Sequence, residues 1–280
     1  MDGRERELRR RPRVISVTSG KGGVGKTNIV ANLAVASSQL GKSVLVLDAD
    51  LGLGNLDVLL GLAPRYSLED VLLGQKSLSE VICDGPCGIR ILPTGSGVEQ
   101  LTAMTPEQKL HLLSEFDRLE TPIDLFLIDT GAGISSNVLY FNSIAEDIIV
   151  ILTPEPTSLT DAYAVIKVLS QNYGEKEFKV LVNMARSSSD AKEVFQKLSL
   201  VSDRFLDIAV DYLGFISLDD YVSMAVTEQR AFVDRYPSAR SSRDLKTLAE
   251  KINQWPASPF PKGNIQLFWN RIFEPVRESV

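Results

Sequence analysis

Short, nearly unbroken apolar runs alternate along this chain with longer stretches whose apolar residues recur every three to four positions. The runs lie at 14–18, 44–48, 89–93, 125–129, 148–152, 178–182 and 210–216. Runs of this length without polar alternation fit strands buried on both faces, as in a parallel sheet. Helical periodicity covers 27–39, 106–119, 158–173, 189–205, 219–229 and 239–254, and 66–82 reads as two short helical turns. In the first of these, Ile29, Val30, Leu33, Ala34 and Ala36 share a face, and Gly41 stands where a helix-ending glycine belongs. Thr105-Pro106-Glu107 has the residue types of a helix cap and first turn. Strand and helix in alternation predict an α/β fold: a mostly parallel, doubly wound sheet with helices on both faces.

The pattern changes after 254. Prolines at 256, 259 and 261 cannot continue a helix, so 255–263 reads as a linker. Beyond it Ile265, Phe268, Trp269, Ile272 and Phe273 form one stripe of an amphipathic helix within 264–280, with Pro275 closing it. Aromatics on such a face suit a bilayer interface, and a packed C-terminal helix is the plainer alternative. At the other end, Arg9, Arg10, Arg11 and Arg13 make a basic run at the junction of a tail, 1–12, with the first strand, and the tail lacks the apolar core of a secretion signal.

The chemistry concentrates after the first apolar run. Gly20-Lys21-Gly22-Gly23-Val24-Gly25-Lys26-Thr27 fits the phosphate-binding pattern G-x-x-x-x-G-K-[ST], between a strand and a helix as that pattern requires. Glycines let backbone N–H groups converge on one anion, and the helix N-terminus behind them adds its positive end. Lys26 supplies a charge for the β- and γ-phosphates, and the Thr27 hydroxyl is a Mg²⁺ ligand. The run at 44–48 ends in Asp48-Ala49-Asp50 and that at 125–129 ends in Asp129, at the strand ends that face the ligand crevice of a doubly wound sheet. The second has the form of a Walker B carboxylate, followed by a glycine-bearing loop, 130–135, placed to sense a γ-phosphate.

Composition narrows the setting. The 280 residues carry a net charge of −6, which argues against broad nonspecific DNA binding. Two cysteines, Cys83 and Cys87, and one histidine, His111, are too few for a structural zinc site. They read as reduced cytosolic thiols and a helix-surface histidine. No apolar run approaches the ~20 residues that span a bilayer.

Lys21, directly after the first glycine, makes the loop resemble the deviant Walker A of the MinD/ParA family of dimerising ATPases. Asp48-Ala-Asp50-Leu-Gly-Leu-Gly-Asn55-Leu-Asp57 and Asp129-Thr-Gly-Ala-Gly-Ile134 extend the resemblance over roughly 13–254, which is thereby identified as a P-loop ATPase domain. The second of these, with Lys26-Thr27-Asn28, is most similar to the FlhG (FleN) branch, regulators of flagellar number and placement.

The resemblance implies a slow, Mg²⁺-dependent ATPase that cycles between a monomer and an ATP-bound homodimer. Lys21 then reaches phosphate across the dimer, and Gly20 and Gly22 to Thr27 hold the phosphates with Asn28 near the α-phosphate. Asp48 supports Mg²⁺ or Lys26, Asp50 positions the attacking water, and Asp129 is the Walker B acid. Asn183 matches the adenine reader, and Ser217 and Asp219 fall beside the base, Ser217 where relatives often have proline. Asn55, Glu155 and Asp161 match dimer-interface positions. An FlhF-type GTPase or a FleQ-type transcription activator is the implied partner. The implied location is the cytoplasm, with reversible attachment to the inner membrane face through the C-terminal helix. A ParA-like DNA-partitioning ATPase and a MinD-like division-site regulator are the alternatives.

Overall fold

The computed structural model describes residues 12–51, 54–95, 104–119 and 121–256. In chain order the elements are β1 (Arg13–Ser19), α1 (Lys26–Gln39), β2 (Val44–Ala49), α2 (Leu56–Leu59), α3 (Leu68–Leu72), α4 (Leu78–Val81), β3 (Cys83–Asp84), β4 (Arg90–Leu92), α5 (Pro106–Asp117) and β5 (Leu125–Ala132). There follow α6 (Ser136–Ser143), β6 (Asp147–Leu152), α7 (Pro156–Tyr173), β7 (Glu177–Ala185), α8 (Ser188–Phe205), β8 (Ala209–Ser217), α9 (Asp220–Thr227), α10 (Phe232–Arg235) and α11 (Arg240–Asn253). The strands form one sheet in the order β3-β4-β2-β5-β1-β6-β7-β8. Every pairing is parallel except that of β3 with β4.

The unbroken apolar runs have a simple cause. Successive side chains of a strand point to opposite faces, and here both faces are covered. Val44, Val46, Leu125, Leu127, Ile149 and Ile151 pack with α1, α10 and α11 on one side. Their neighbours Leu45, Leu47, Phe126 and Ile128 pack with α3, α4, α5 and α6 on the other. Ile148, Val150 and Leu152 join α7 and α8 on that same second side of the strands. Helix α1 is buried almost all round, so its sequence carries little amphipathic contrast. Gly41, at φ +85°, follows the C-cap Leu40 and ends α1 as its position suggests.

All the strands and helices expected between 14 and 254 are present, with ends moved by a few residues. The expected loop at 130–135 begins later: Thr130, Gly131 and Ala132 remain in β5, because Thr130 and Ala132 pair with Ala49 and Ser19. β3, α2, α6 and α10 carry no periodic signal, since each is two to eight residues long. Tertiary contacts hold them instead: Ser16 Oγ donates to Asn142 Oδ1 at 2.8 Å, and Asn142 Nδ2 to Val138 O at 2.7 Å, fixing α6 against β1. His111 is not a plain surface residue; it is half-buried on α5, and its Nε2 has no hydrogen-bond partner among the described residues.

At the end of the sheet where the strands begin, Arg13 Nε meets Asp147 at 2.7 Å and Lys179 Nζ meets the same carboxylate at 3.1 Å. Both cations lie about 5 Å from the Trp255 ring centroid, and Arg13 also donates to the carbonyls of Trp255 and Pro256. The first two residues of the expected linker are therefore tied to the body. The rest of the linker, the stripe Ile265, Phe268, Trp269, Ile272 and Phe273, and the basic run Arg9 to Arg11 lie outside the described residues. Asp147→Ala removes the carboxylate shared by two half-buried cations, leaving Arg13 only the longer contact with Glu146 at 3.9 Å, and is expected to lower the unfolding free energy by about 2 kcal/mol in a urea titration. An unchanged midpoint would show the clamp to be energetically idle.

Candidate nucleotide site

The loop between β1 and α1 is shaped by contacts that its glycines permit. Gly23 and Gly25 have φ of +77° and +85°, in the left-handed region. Gly20 is needed for a different reason: a Cβ there would lie 2.0 Å from the carbonyl oxygen of Asp161, so α7 presses directly on the backbone of the loop. Asn183, at the end of β7, holds the loop from the other side by donating Nδ2 to Val24 O at 2.8 Å, and a Cβ on Gly25 would meet that nitrogen at 2.5 Å. Val24 is buried beneath, and Ser19 Oγ donates to Lys21 O at 2.9 Å at the turn.

Strand register brings the acids to the loop. Asp48 on β2 and Asp129 on β5 are paired directly, and Asp129 also stands opposite Val17 on β1. Both carboxylates are buried, 2% and 1% exposed. Lys26 Nζ reaches Asp129 Oδ1 at 3.4 Å, and the neighbouring Thr27 side chain also favours the ionised Asp129 carboxyl. Burial, then the nearby Asp129 charge, pushes Asp48 up to about 7, against the pull of backbone N–H groups from Leu56 and Asp50, each at 3.2 Å. Burial likewise pushes Asp129 up, with Lys26 and Thr27 opposing it. Two buried carboxylates this close favour an added cation. Thr27, Asp48 and Asp129 fit Mg²⁺, which keeps several waters and shares phosphate oxygens rather than needing an all-protein cage. No group of three or more His, Cys, Asp or Glu in ligating arrangement occurs among the described residues.

Asp50, partly buried, faces the strand end after Asp129: a Cβ on Gly131 would lie 3.4 Å from its Oδ1. Gly54 is a close-approach glycine that motif reading missed, since a Cβ there would come within 2.8 Å of Asp48 Oδ2. Thr94, also missed, donates its hydroxyl to Asp48 O at 2.5 Å. Lys21 turns away from the loop. Its ammonium pairs with Glu155, the residue before α7, and bonds Thr157 Oγ1 at 3.0 Å. Asp161 lies one turn further on, its backbone under Gly20, and Asn55 is exposed at the N-cap of α2.

A cavity of about 470 Å³ opens beside the loop, lined by Gly25, Asn28, Asn183, Met184, Ser217 and Asp219, with α9 and Phe232 completing it. Met184 adopts φ +57°, an unusual conformation for a residue with a side chain, and no sequence pattern pointed to it. Ser217 and Asp219 line the cavity, with their side chains hydrogen-bonded to other parts of the chain. Ser217 Oγ donates to Asp244 Oδ2 at 2.6 Å, and Asp219 accepts from Tyr221 N and from Ser241. Burial raises the Asp219 pKa, but those hydrogen bonds from Ser241 and Tyr221 outweigh it and hold the carboxyl below its usual range. Asp244 and Ser241 escaped notice because they are more than twenty residues away in sequence.

A glycine loop on a helix N-terminus, a buried lysine among strand-end acids and a base-sized cavity at one end define a P-loop nucleotide-binding protein. The ParA family, described as "NUBPL iron-transfer P-loop NTPase", matches residues 11–253. The chain belongs to this ParA/MinD family of P-loop NTPases. It is 43% identical to the antiactivator FleN of Pseudomonas aeruginosa over 93% of both chains. It is 31% identical to the flagellum site-determining protein YlxH of Helicobacter pylori, over 93% of this chain and 89% of that one. The septum site-determining protein MinD of Pyrococcus horikoshii, solved with Mg-ADP, superposes with a TM-score of 0.71 at 27% identity, covering 87% of this chain and 97% of that one.

The two kinds of glycine in the loop can be told apart. Gly20→Ala is expected to lower the melting temperature by about 5 °C or more, because the clash is with backbone. Gly22, with nothing within 4 Å of a Cβ, should accept alanine with little change. Equal melting temperatures in scanning fluorimetry would contradict the close packing of α7 on the loop.

Proposed function

We propose that this protein is an ATP-hydrolysing switch that regulates flagellar number or placement, alternating between a monomer and an ATP-bound homodimer. The observation that carries this reading is its likeness to FleN along nearly its whole length, with the Lys26–Asp129–Asp48 cluster assembled. In this reading the backbone from Gly20 to Thr27 binds the phosphates, Lys26 neutralises the β- and γ-oxygens, and Asn28 lies near the α-phosphate. Thr27, Asp48 and Asp129 would hold Mg²⁺, which when bound would neutralise charge on the phosphates. Asp50 orients the attacking water toward that group. Asn183 spends its N–H₂ group on Val24, which leaves Oδ1 as an acceptor for an exocyclic amino group such as adenine's.

Lys21 is the dimer-sensing residue. It is not needed to cradle phosphate within its own loop, and in the single chain it rests on Glu155 and Thr157. To reach a partner's nucleotide it must exchange those contacts for phosphate oxygens. Asn55, Glu155 and Asp161 then lie at or near the contact between subunits. The regulated partner is an FlhF-type GTPase or a FleQ-type activator, to be identified by co-purification. Residues 264–280 supply reversible attachment to the cytoplasmic membrane face, and two such segments on one dimer bind better than one through avidity. No helix among the described residues is long and apolar enough to cross a membrane.

Lys21→Ala is expected to abolish ATP-dependent dimers in light scattering, while Asp50→Ala dimerises with ATP but turns over about 100-fold more slowly. Normal dimerisation of the lysine variant, or loss of ATP binding by the aspartate variant, would sink the respective assignment. Sedimentation with anionic liposomes is expected to rise with ATP and fall on Trp269→Glu. Identical sedimentation of ATP and ADP forms, unaffected by that substitution, would remove the membrane from the cycle.

A further inference from the structure

The 217–219 segment walls the base end of the cavity, and its hydrogen bonds run away from the cavity into α11. Ser217 donates its backbone N–H at 2.9 Å and its hydroxyl at 2.6 Å, both to Asp244 Oδ2. In the opposite direction Ser241 donates its backbone N–H and its hydroxyl to Asp219 Oδ2, each at 3.1 Å. These pairs form a reciprocal clasp: each serine gives both donors to a carboxylate of the other segment. Two further bonds complete the restraint, Leu218 N to Ala185 O at 2.9 Å and Tyr221 N to Asp219 Oδ1 at 3.1 Å. Three consecutive residues are thereby fixed to β7, α9 and α11 at once.

Ser241 and Asp244 are not among the residues lining the cavity, and Ser241 is buried. Yet they take the Ser217 hydroxyl proton and one oxygen of Asp219, while Tyr221 N takes the other, so the polar groups of the wall are anchored away from the cavity. A wall held still before a ligand arrives spares the cost of ordering it on binding, which would subtract from affinity. The geometry points to Asp244 and Ser241 as positioning residues that set the 217–219 wall and so the affinity for the base half of the nucleotide, without touching it. This rests on the reading of the site as an ATP site. It also accounts for the serine at 217, where a proline would have neither the N–H nor the hydroxyl that Asp244 receives.

The test separates the base from the phosphates. Mg-ATP and Mg-tripolyphosphate, which has the phosphates and no base, are titrated calorimetrically into the full chain. Asp244→Ala is expected to weaken ATP about tenfold and to leave tripolyphosphate within about twofold, with Asp244→Asn between it and the unmutated chain. Ser241→Ala, which keeps its backbone bond, should weaken ATP alone by about threefold. Equal weakening of both ligands would reduce the clasp to general support of the fold, and unchanged ATP affinity would remove it altogether. If Asp244→Ala does not fold, Ser217→Ala and Asp244→Asn decide: selective loss of ATP upholds the positioning role, and its absence from both overturns it. An unmutated chain that bound tripolyphosphate but not ATP would overturn the ATP reading itself.

Discussion

Two carboxylates and an ammonium buried at the ends of three adjacent strands are the constraint on which the site depends. Charges that deep are costly unless paired and hydrogen-bonded. Lys26 reaches Asp129, and Asp48 is held by the N–H groups of Asp50 and Leu56. The direct pairing of β2 with β5, and of β5 with β1, makes this possible. A one-residue slip in either pairing would send an acid to the opposite face of the sheet.

Around this cluster the loop is gripped rather than merely flexible. α7 presses on Gly20, Asn183 donates to Val24, and β1 delivers Ser19 to the turn. The glycines that matter most for this grip do so by lacking a side chain where backbone or amide groups pass within contact distance. Lys21 is the exception within the loop, a charge directed outward onto Glu155 and Thr157. Its contacts are exposed, so they are cheap to break and suited to exchange when another anion is offered.

Much of the fold was legible because the strands are buried on both faces. A run such as Leu125 to Ile128 announces itself without regard to what covers it. The P-loop and Asp129 were equally plain, since their spacing is local. The elements that escaped notice, β3, α2, α6 and α10, are too short to establish a period, and α6 exists through Asn142 and Ser16, residues far apart in the chain.

The sequence by itself determined the fold class, the phosphate loop and the acids that accompany it, because each is written in contiguous residues with its own backbone chemistry. Only the tertiary structure decided where side chains spend their hydrogen bonds. Ser217 and Asp219 line the cavity, yet α11 engages their oxygens through Asp244 and Ser241. Trp255 reads as the start of a linker, yet Arg13 and Lys179 enclose it at the base of the sheet. Such pairings join residues separated by more than twenty to more than two hundred positions. No local pattern encodes them, since they exist only once the layers have packed.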